Sequence, residues 1–304
     1  MTNFPIYGII IHMIEFKDVE VKDKAWADEL LRLSDYNGCE YSFGNNYMWS
    51  KVFDMKIARY KNFYLVKNKY GFMFPAGAGD ICEIVGVLRE YCSCNNTPLC
   101  FSSMSREVME KLCRIYCEDI EVGTNRDFYD YVYCFETLSK LSGKKLHAKR
   151  NHLNRFYENN WEFEPITPDN IEEVADMHNR WCMEHNCYDD SEKLREAQAV
   201  IRGLESFFEL GFVGGIIRVD GDIHAYTFGE RLNSDTFVVH AEKAFTTVQG
   251  AYTAINHEFV NYACKGYTYI NREEDMGLEN LRKAKLSYCP AFVVEKYRVR
   301  FKEV

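Results

Sequence analysis

The sequence predicts an α/β protein built from two copies of one plan. Three observations carry this. Residues 236–301 read strand, loop, helix, strand, helix, strand without a break. Residues 55–135 run through a looser version of the same order. A length of 304 residues suits two domains of about 150 each, and the chain divides near Asn159-Asn160 into 13–158 and 159–304.

In the first half, residues 24–33 have helical spacing. Strands are expected at 55–58, 60–66 and 72–75, separated by turns at Lys61-Asn62 and Asn68-Lys69. A helix over 80–91, a strand over 99–102, a helix over 105–116 capped by Ser105, and a closing strand over 129–135 complete it.

The second half opens with helix signals: Thr167 as N-cap, Pro168 at the first helical position, and Asp169, Glu172 and Glu173 in the first turn. That helix is expected to reach about 185. A second spans 191–210 and stops at Gly211. Residues 212–219 and 223–230 flank Asp220-Gly221-Asp222, a hairpin signature. After Asn233-Ser234-Asp235 come a strand at 237–241, a helix over 246–264, a strand at 267–270, a helix over 278–288 and a closing strand over 292–301.

Composition bounds the function. The formal charge of −9 argues against general affinity for nucleic acid but allows a local basic groove. No apolar run approaches the ~18–20 residues of a membrane span. Residues 1–12 lack the basic start and cleavage site of a signal peptide, and read as a lead-in or a misplaced start. The 12 cysteines form no CxxC pair and have no zinc-type histidine pair beside them. They read as reduced thiols of a cytoplasmic protein, and no metal site is expected.

Val248-Gln249-Gly250-Ala251 sits where a strand hands over to a helix, a place where free N–H groups and the helix dipole can hold a phosphate. This order and the Gly-Ala pair resemble the second half of a GNAT-type acyltransferase domain. That resemblance implies two tandem domains with mixed central sheets flanked by helices. In such domains the donor loop reads Arg/Gln-x-x-Gly-x-Gly/Ala; here Thr247 and Tyr252 stand at its first and last positions. The fourth helix echoes the family at Asn280, Ala284 and Tyr288, and the tyrosine of that family can protonate a leaving group. Three further segments carry a narrower resemblance: Tyr41-Ser42-Phe43-Gly44-Asn45-Asn46-Tyr47-Met48-Trp49, Leu141-Ser142-Gly143-Lys144-Lys145-Leu146-His147-Ala148-Lys149-Arg150-Asn151-His152, and Asn271-Arg272-Glu273-Glu274-Asp275-Met276-Gly277. They look like a bacterial family similar to the C-terminal domain of phosphatidylglycerol lysyltransferases, which shares its tandem fold with Fem-type peptidyltransferases. The resemblance implies transfer of an acyl or aminoacyl group from acyl-coenzyme A or aminoacyl-tRNA to an amine, peptide or lipid head group. The other class left open is a binding or regulatory protein that keeps the fold without the reaction.

The candidate residues follow. Lys145, Lys149 and Arg150, in a basic helical stretch over 143–156, suit a polyanionic donor, or are a solvated helix face. Glu242, at the end of a strand, is a candidate general base, or a surface residue. Tyr288 is the candidate acid, or a core tyrosine. Arg272 and Glu273 end the next strand and are candidate acceptor-binding groups, with Asn280 and Lys283 on the helix beyond. They could equally be an internal ion-pair set. Cys182 with His178 and His185 shares a helix, but no strained turn presents the thiol as a nucleophile.

Overall fold

A computed structural model describes residues 14–302; the lead-in expected at 1–12 lies outside them. In chain order the elements of the first half are β1 Lys17–Asp18, α1 Lys24–Ser34, α2 Phe43–Phe53, β2 Lys56–Tyr60, β3 Phe63–Asn68, β4 Gly71–Gly77, α3 Ile81–Cys94, β5 Cys100–Met104, α4 Arg106–Tyr116 and β6 Ile120–Thr124. Then come β7 Asp130–Cys134, α5 Phe135–Lys140, α6 His147–Phe156, β8 Trp161–Pro165, α7 Ile171–Glu184, α8 Ser191–Glu205, β9 Val213–Val219 and β10 Asp222–Arg231. The chain closes with β11 Thr236–Ala244, α9 Ala251–Ala263, β12 Tyr269–Asn271, α10 Glu279–Leu286, β13 Phe292–Val294 and β14 Tyr297–Phe301.

The strands form two seven-stranded mixed sheets. One has the order β1-β2-β3-β4-β5-β14-β6, and the other, read from its opposite edge, β8-β9-β10-β11-β12-β7-β13. The plan is the same twice, and the sixth place in each sheet is filled from the other half of the chain. β7 pairs antiparallel with β12 and β13, and β14 pairs antiparallel with β5 and β6. The strand expected over 129–135 therefore does not close the first half. The strand expected over 292–301 is two strands, one in each sheet. The chain accordingly separates into one unit up to Arg126 and from Glu295 on, and another of Asp127–Val294. The 158/159 boundary read from the sequence falls inside the second of these.

Each unit has its own core. In the first, Leu65, Phe74, Ile84, Leu88, Phe101 and Leu112 pack with Val299 of β14. In the second, Tyr131 and Tyr133 of β7 pack with Phe156, Ile217, Ile255, Phe259 and Ile270. Each such side chain contributes about 1.5–3 kcal/mol when fully buried, so each borrowed strand is held by its side chains as well as by its ladder.

Several helix ends differ from the sequence reading. α7 starts at Ile171 because Asn170, not Thr167, closes the preceding turn: its Oδ1 accepts the Thr167 N–H at 2.8 Å. α8 starts at Ser191 as expected, after Asp190, whose carboxylate accepts the N–H groups of Glu192 and Lys193, but it ends at Glu205 rather than at 210. α9 starts five residues later than expected, because Gly250 takes a left-handed φ of 91°. Helix α2 was not expected at all. Its residues Phe43 to Met48 are all buried, so it shows no polar face and hence no amphipathic period.

One feature of the second sheet positions the site. β11 pairs with β12 only from Thr236↔Tyr269 to Val238↔Asn271. β12 ends there, while β11 continues to Ala244. The edge of β11 beyond Val238 is left open toward α9 and the turn that follows Asn271. Two mixed sheets flanked by helices in one repeated order are the tandem GNAT-like architecture that the sequence predicts.

Candidate functional site

Alternation along β11 sends consecutive side chains to opposite faces. Glu242 points to the face covered by α9; Lys243 points away, where its ammonium meets Glu196 at 2.7 Å and lies 4.1 Å from the Trp181 ring centre. Glu242 is held twice. Its Oε1 accepts from Nη2 of Arg272 at 2.8 Å, and its Oε2 from Nδ2 of Asn256 on α9 at 3.0 Å. The ion pair is nearly dry, with side-chain exposures of 12% and 11%.

The Arg272 guanidinium lies over the rings of Tyr288 at 4.7 Å and Tyr133 at 5.5 Å. Lys149 of α6 puts its ammonium 3.9 Å from the Tyr288 ring centre. Tyr288 thus carries two cations on its π system, while its hydroxyl lies 3.4 Å from Thr253 Oγ1 on α9. Burial pushes the Tyr288 hydroxyl above the ordinary tyrosine range. Burial, reinforced by the Arg272 charge and opposed by Glu242, lowers the Lys149 pKa to about 8.

The backbone beneath is fixed by a lysine. Lys285 of α10 donates to the carbonyls of Arg272, Glu273 and Glu274, and Tyr133 donates to the Lys285 carbonyl at 2.8 Å. The turn that aims Arg272 is therefore tied to α10 and β7 together.

Two atoms of this cluster are unsatisfied. Nη1 of Arg272 and Oδ1 of Asn256 are buried without a hydrogen-bond partner. A buried polar atom left unpaired costs about 1–3 kcal/mol. The Asn256 orientation follows from its neighbour, since Glu242 accepts and so must face the amide N–H. The free atoms are one donor and one acceptor. A ligand carrying a carbonyl and a hydrogen-bond donor would satisfy both.

The structure gathers some of the expected residues and separates others. Glu242, Arg272, Tyr288 and Lys149 come together. Gly250 and α6 also meet: a side chain on Gly250 would start 2.3 Å from the His152 carbonyl, and Arg155 donates to Gln249 at 3.3 Å. Val248 packs on the core and Ala251 is buried, so this turn is partly covered by protein. Arg150 is committed to the carbonyls of Leu141 and Gly143, and Lys145 is exposed. Glu273 turns to His240, 2.9 Å from Nδ1, while the other ring nitrogen meets Glu230 at 3.2 Å. Burial alone would lower the His240 pKa, but the two carboxylates outweigh it and raise it to about 9. Asn280 is exposed on α10, and Lys283 pairs with Glu279 one turn away at 2.6 Å; neither joins the cluster. Cys182 does touch His178, at 3.4 Å. Burial raises that thiol to about 12 and lowers the histidine to about 4, which describes a packed pair rather than a nucleophile.

Sequence reasoning missed Asn256, Thr253 and Tyr133. The signal for the first two was available: they are polar residues on a helix whose neighbours Ala254, Ile255 and Phe259 form the core face.

The family model for the C-terminal domain of phosphatidylglycerol lysyltransferase matches residues 31–300. A crystal structure of a conserved protein of unknown function from Bacteroides thetaiotaomicron is 39% identical, covers 95% of this chain and 100% of its own, and superposes with a TM-score of 0.92. A C-terminal domain from Agrobacterium fabrum that carries the lysylphosphatidylglycerol synthetase name shares the fold at 13% identity (TM-score 0.67; 93% of this chain, 92% of that one). FemX does so at 8% identity (TM-score 0.61; 93% and 96%). Among the described residues no helix is long and apolar enough to cross a membrane. Matched over most of its length, the chain belongs to the family of the phosphatidylglycerol lysyltransferase C-terminal domain.

Proposed function

We propose that the chain transfers an acyl or aminoacyl group from an ester or thioester donor to an amine or hydroxyl, at the cluster of Glu242, Arg272, Lys149 and Tyr288. The observation that carries this reading is the pair of unsatisfied buried atoms, Arg272 Nη1 and Asn256 Oδ1, beside the open edge of β11. A donor carbonyl accepts from Arg272, which also stabilises the oxyanion as it forms.

Lys149 is the base of this scheme. With a pKa of about 8 it is partly neutral near physiological pH and can take the proton from the attacking amine or hydroxyl. Tyr288, which burial keeps protonated, supplies a proton to the departing oxygen or sulfur. Its phenolate is short-lived beside two cations and regains its proton from solvent. In this scheme Glu242, clamped by Arg272 and Asn256, orients both, and the role of base expected of it from the sequence passes to Lys149. Holding donor and acceptor together is the remaining task.

Relatives named for lysyl transfer favour aminoacyl-tRNA over acyl-coenzyme A as the donor, with a lipid head group, peptide or small amine as acceptor. The covered turn at Gly250 and the Thr247 and Tyr252 substitutions point the same way. A charged tRNA donor places the reaction in the cytoplasm, in keeping with the described cysteines all being free thiols.

The same two substitutions favour a second reading, a binding protein with a retired donor loop. Thermal shift with coenzyme A, acetyl-coenzyme A and total charged tRNA separates the readings. Stabilisation by charged tRNA, and release of its amino acid only when an amine or hydroxyl acceptor is added, is the expected result. Stabilisation without acceptor-dependent release supports the binding protein, and no shift with any donor removes the transferase reading.

A further inference from the structure

A second concave site lies wholly within the first unit, at the end of its sheet. It is a cavity of about 900 Å3 between the β3–β4 turn, the end of α3 and β14, within the size range of small-ligand sites. Its lining carries six basic side chains against two acidic ones, in a chain whose formal charge is −9.

The acids do not neutralise the bases. Asp18 is spent on Lys56, at 2.5 Å, and Lys17 turns to Asp23. Lys67, Lys69, Arg298 and Arg300 have no ion-pair partner among the described residues. Arg298 and Arg300 stand at the exposed positions of β14, alternating with buried Tyr297, Val299 and Phe301. Like charges gathered around one cavity repel, and the repulsion is relieved when an anion enters.

The cavity also offers rings. Lys67 lies 4.5 Å from the Phe16 ring centre and 4.9 Å from that of Tyr91. Tyr70 is 60% exposed, with Lys69 5.0 Å from its ring. The turn carrying Lys69 and Tyr70 is held firmly. Asn68 Oδ1 accepts the Tyr70 N–H at 2.8 Å. Gly71 has a φ of +128°, and a Cβ there would lie 2.4 Å from the Cys100 carbonyl, so only glycine lets this turn sit against β5. An exposed tyrosine on a rigid turn, beside four unneutralised cations, combines a stacking surface with phosphate-binding groups.

We propose that this cavity is a nucleotide site, with phosphates on Lys67, Lys69, Arg298 and Arg300 and the base against Tyr70. It is separate from the transfer site and does not depend on that reading. Two sources share this chemistry: a free nucleoside polyphosphate and the single-stranded end of an RNA.

The test is isothermal titration of the full chain with ATP, tripolyphosphate, adenosine and a short single-stranded RNA, at low and physiological salt. Saturable binding of ATP, tighter than tripolyphosphate and weakened by salt, is the expected result. Lys69→Ala with Arg300→Ala should weaken ATP on the order of tenfold or more at an unchanged melting temperature. Tyr70→Ala should weaken ATP and leave tripolyphosphate unaffected. RNA that competes with ATP and binds more tightly names the chain end as the source; ATP alone names the free nucleotide. Equal affinity in wild type and the double variant, no saturable binding of any phosphate probe, or equal ATP and tripolyphosphate affinity with no effect of Tyr70→Ala would overturn the assignment.

Discussion

Glu242 and Arg272 form an almost fully buried ion pair, 2.8 Å from Oε1 to Nη2, at the point where β11 outruns its partner β12. A buried pair roughly breaks even against apolar residues of similar size, while breaking it from one side costs about 3–5 kcal/mol because a buried charge is left unmatched.

Glu242→Ala should therefore lower the unfolding free energy by about 3–5 kcal/mol, read by urea denaturation. Pairing it with Arg272→Met should recover a large part of that loss. A double variant that merely adds the two single losses would show that the residues are not coupled.

His240 predicts a pH dependence of stability. Its folded pKa, about 9, lies above the ordinary 6.5, so the folded state binds more protons between those values. The stabilisation is fully present below about pH 6.5 and is lost as pH rises through about 9. Lys149 acts over a higher window and in the opposite sense. Its depressed pKa, about 8 against 10.5, is a cost present below pH 8 and relieved as pH climbs toward 10.5. Denaturation of wild type and His240→Gln at pH 6, 7.5 and 9 should show a gap that narrows steadily with pH; a constant gap would contradict the doubly paired imidazolium.

The repeated strand-helix order was legible in the sequence, because strand alternation and helical spacing are local signals; Glu242 and Arg272 entered as separate candidates from their places at strand ends, and Tyr288 only through the resemblance of its helix to the acyltransferase family. The exchange of β7 and β14 was not legible. β14 alternates buried and exposed and β7 is buried on both faces, patterns that name no partner, and a pairing partner far along the chain leaves no local mark. Lys149 shows the same limit at a site: the basic stretch over 143–156 grouped it with Lys145 and Arg150, but only packing against Tyr288 separates it from them. Asn280 and Lys283 were placed by their position on α10, and the helix turns both to solvent.

Gly250→Ala should destabilise the chain by about 1–3 kcal/mol for the left-handed backbone, and further for the contact with the His152 carbonyl at 2.3 Å. A calorimetric melting temperature at or above wild type would show that α6 does not pack on this turn.

The cysteines should divide by exposure. Under native conditions a thiol reagent should modify the exposed Cys82, Cys94 and Cys117 first, and reach buried Cys182, Cys187 and Cys264 only on unfolding. Mass spectrometry of the labelled peptides reads the order. Early labelling of Cys182, whose thiol burial pushes up to about 12, would reopen the nucleophile question.

The reaction centre itself is tested most directly by single-turnover release of amino acid from charged tRNA, with and without an amine acceptor, in wild type, Lys149→Met and Tyr288→Phe. Wild type should turn over only with acceptor, on a pH profile that rises through about 8. Each variant should lose on the order of 100-fold or more in rate while keeping a cooperative melting transition. Variants that match wild type, or a wild-type rate indifferent to pH across that range, would contradict the account.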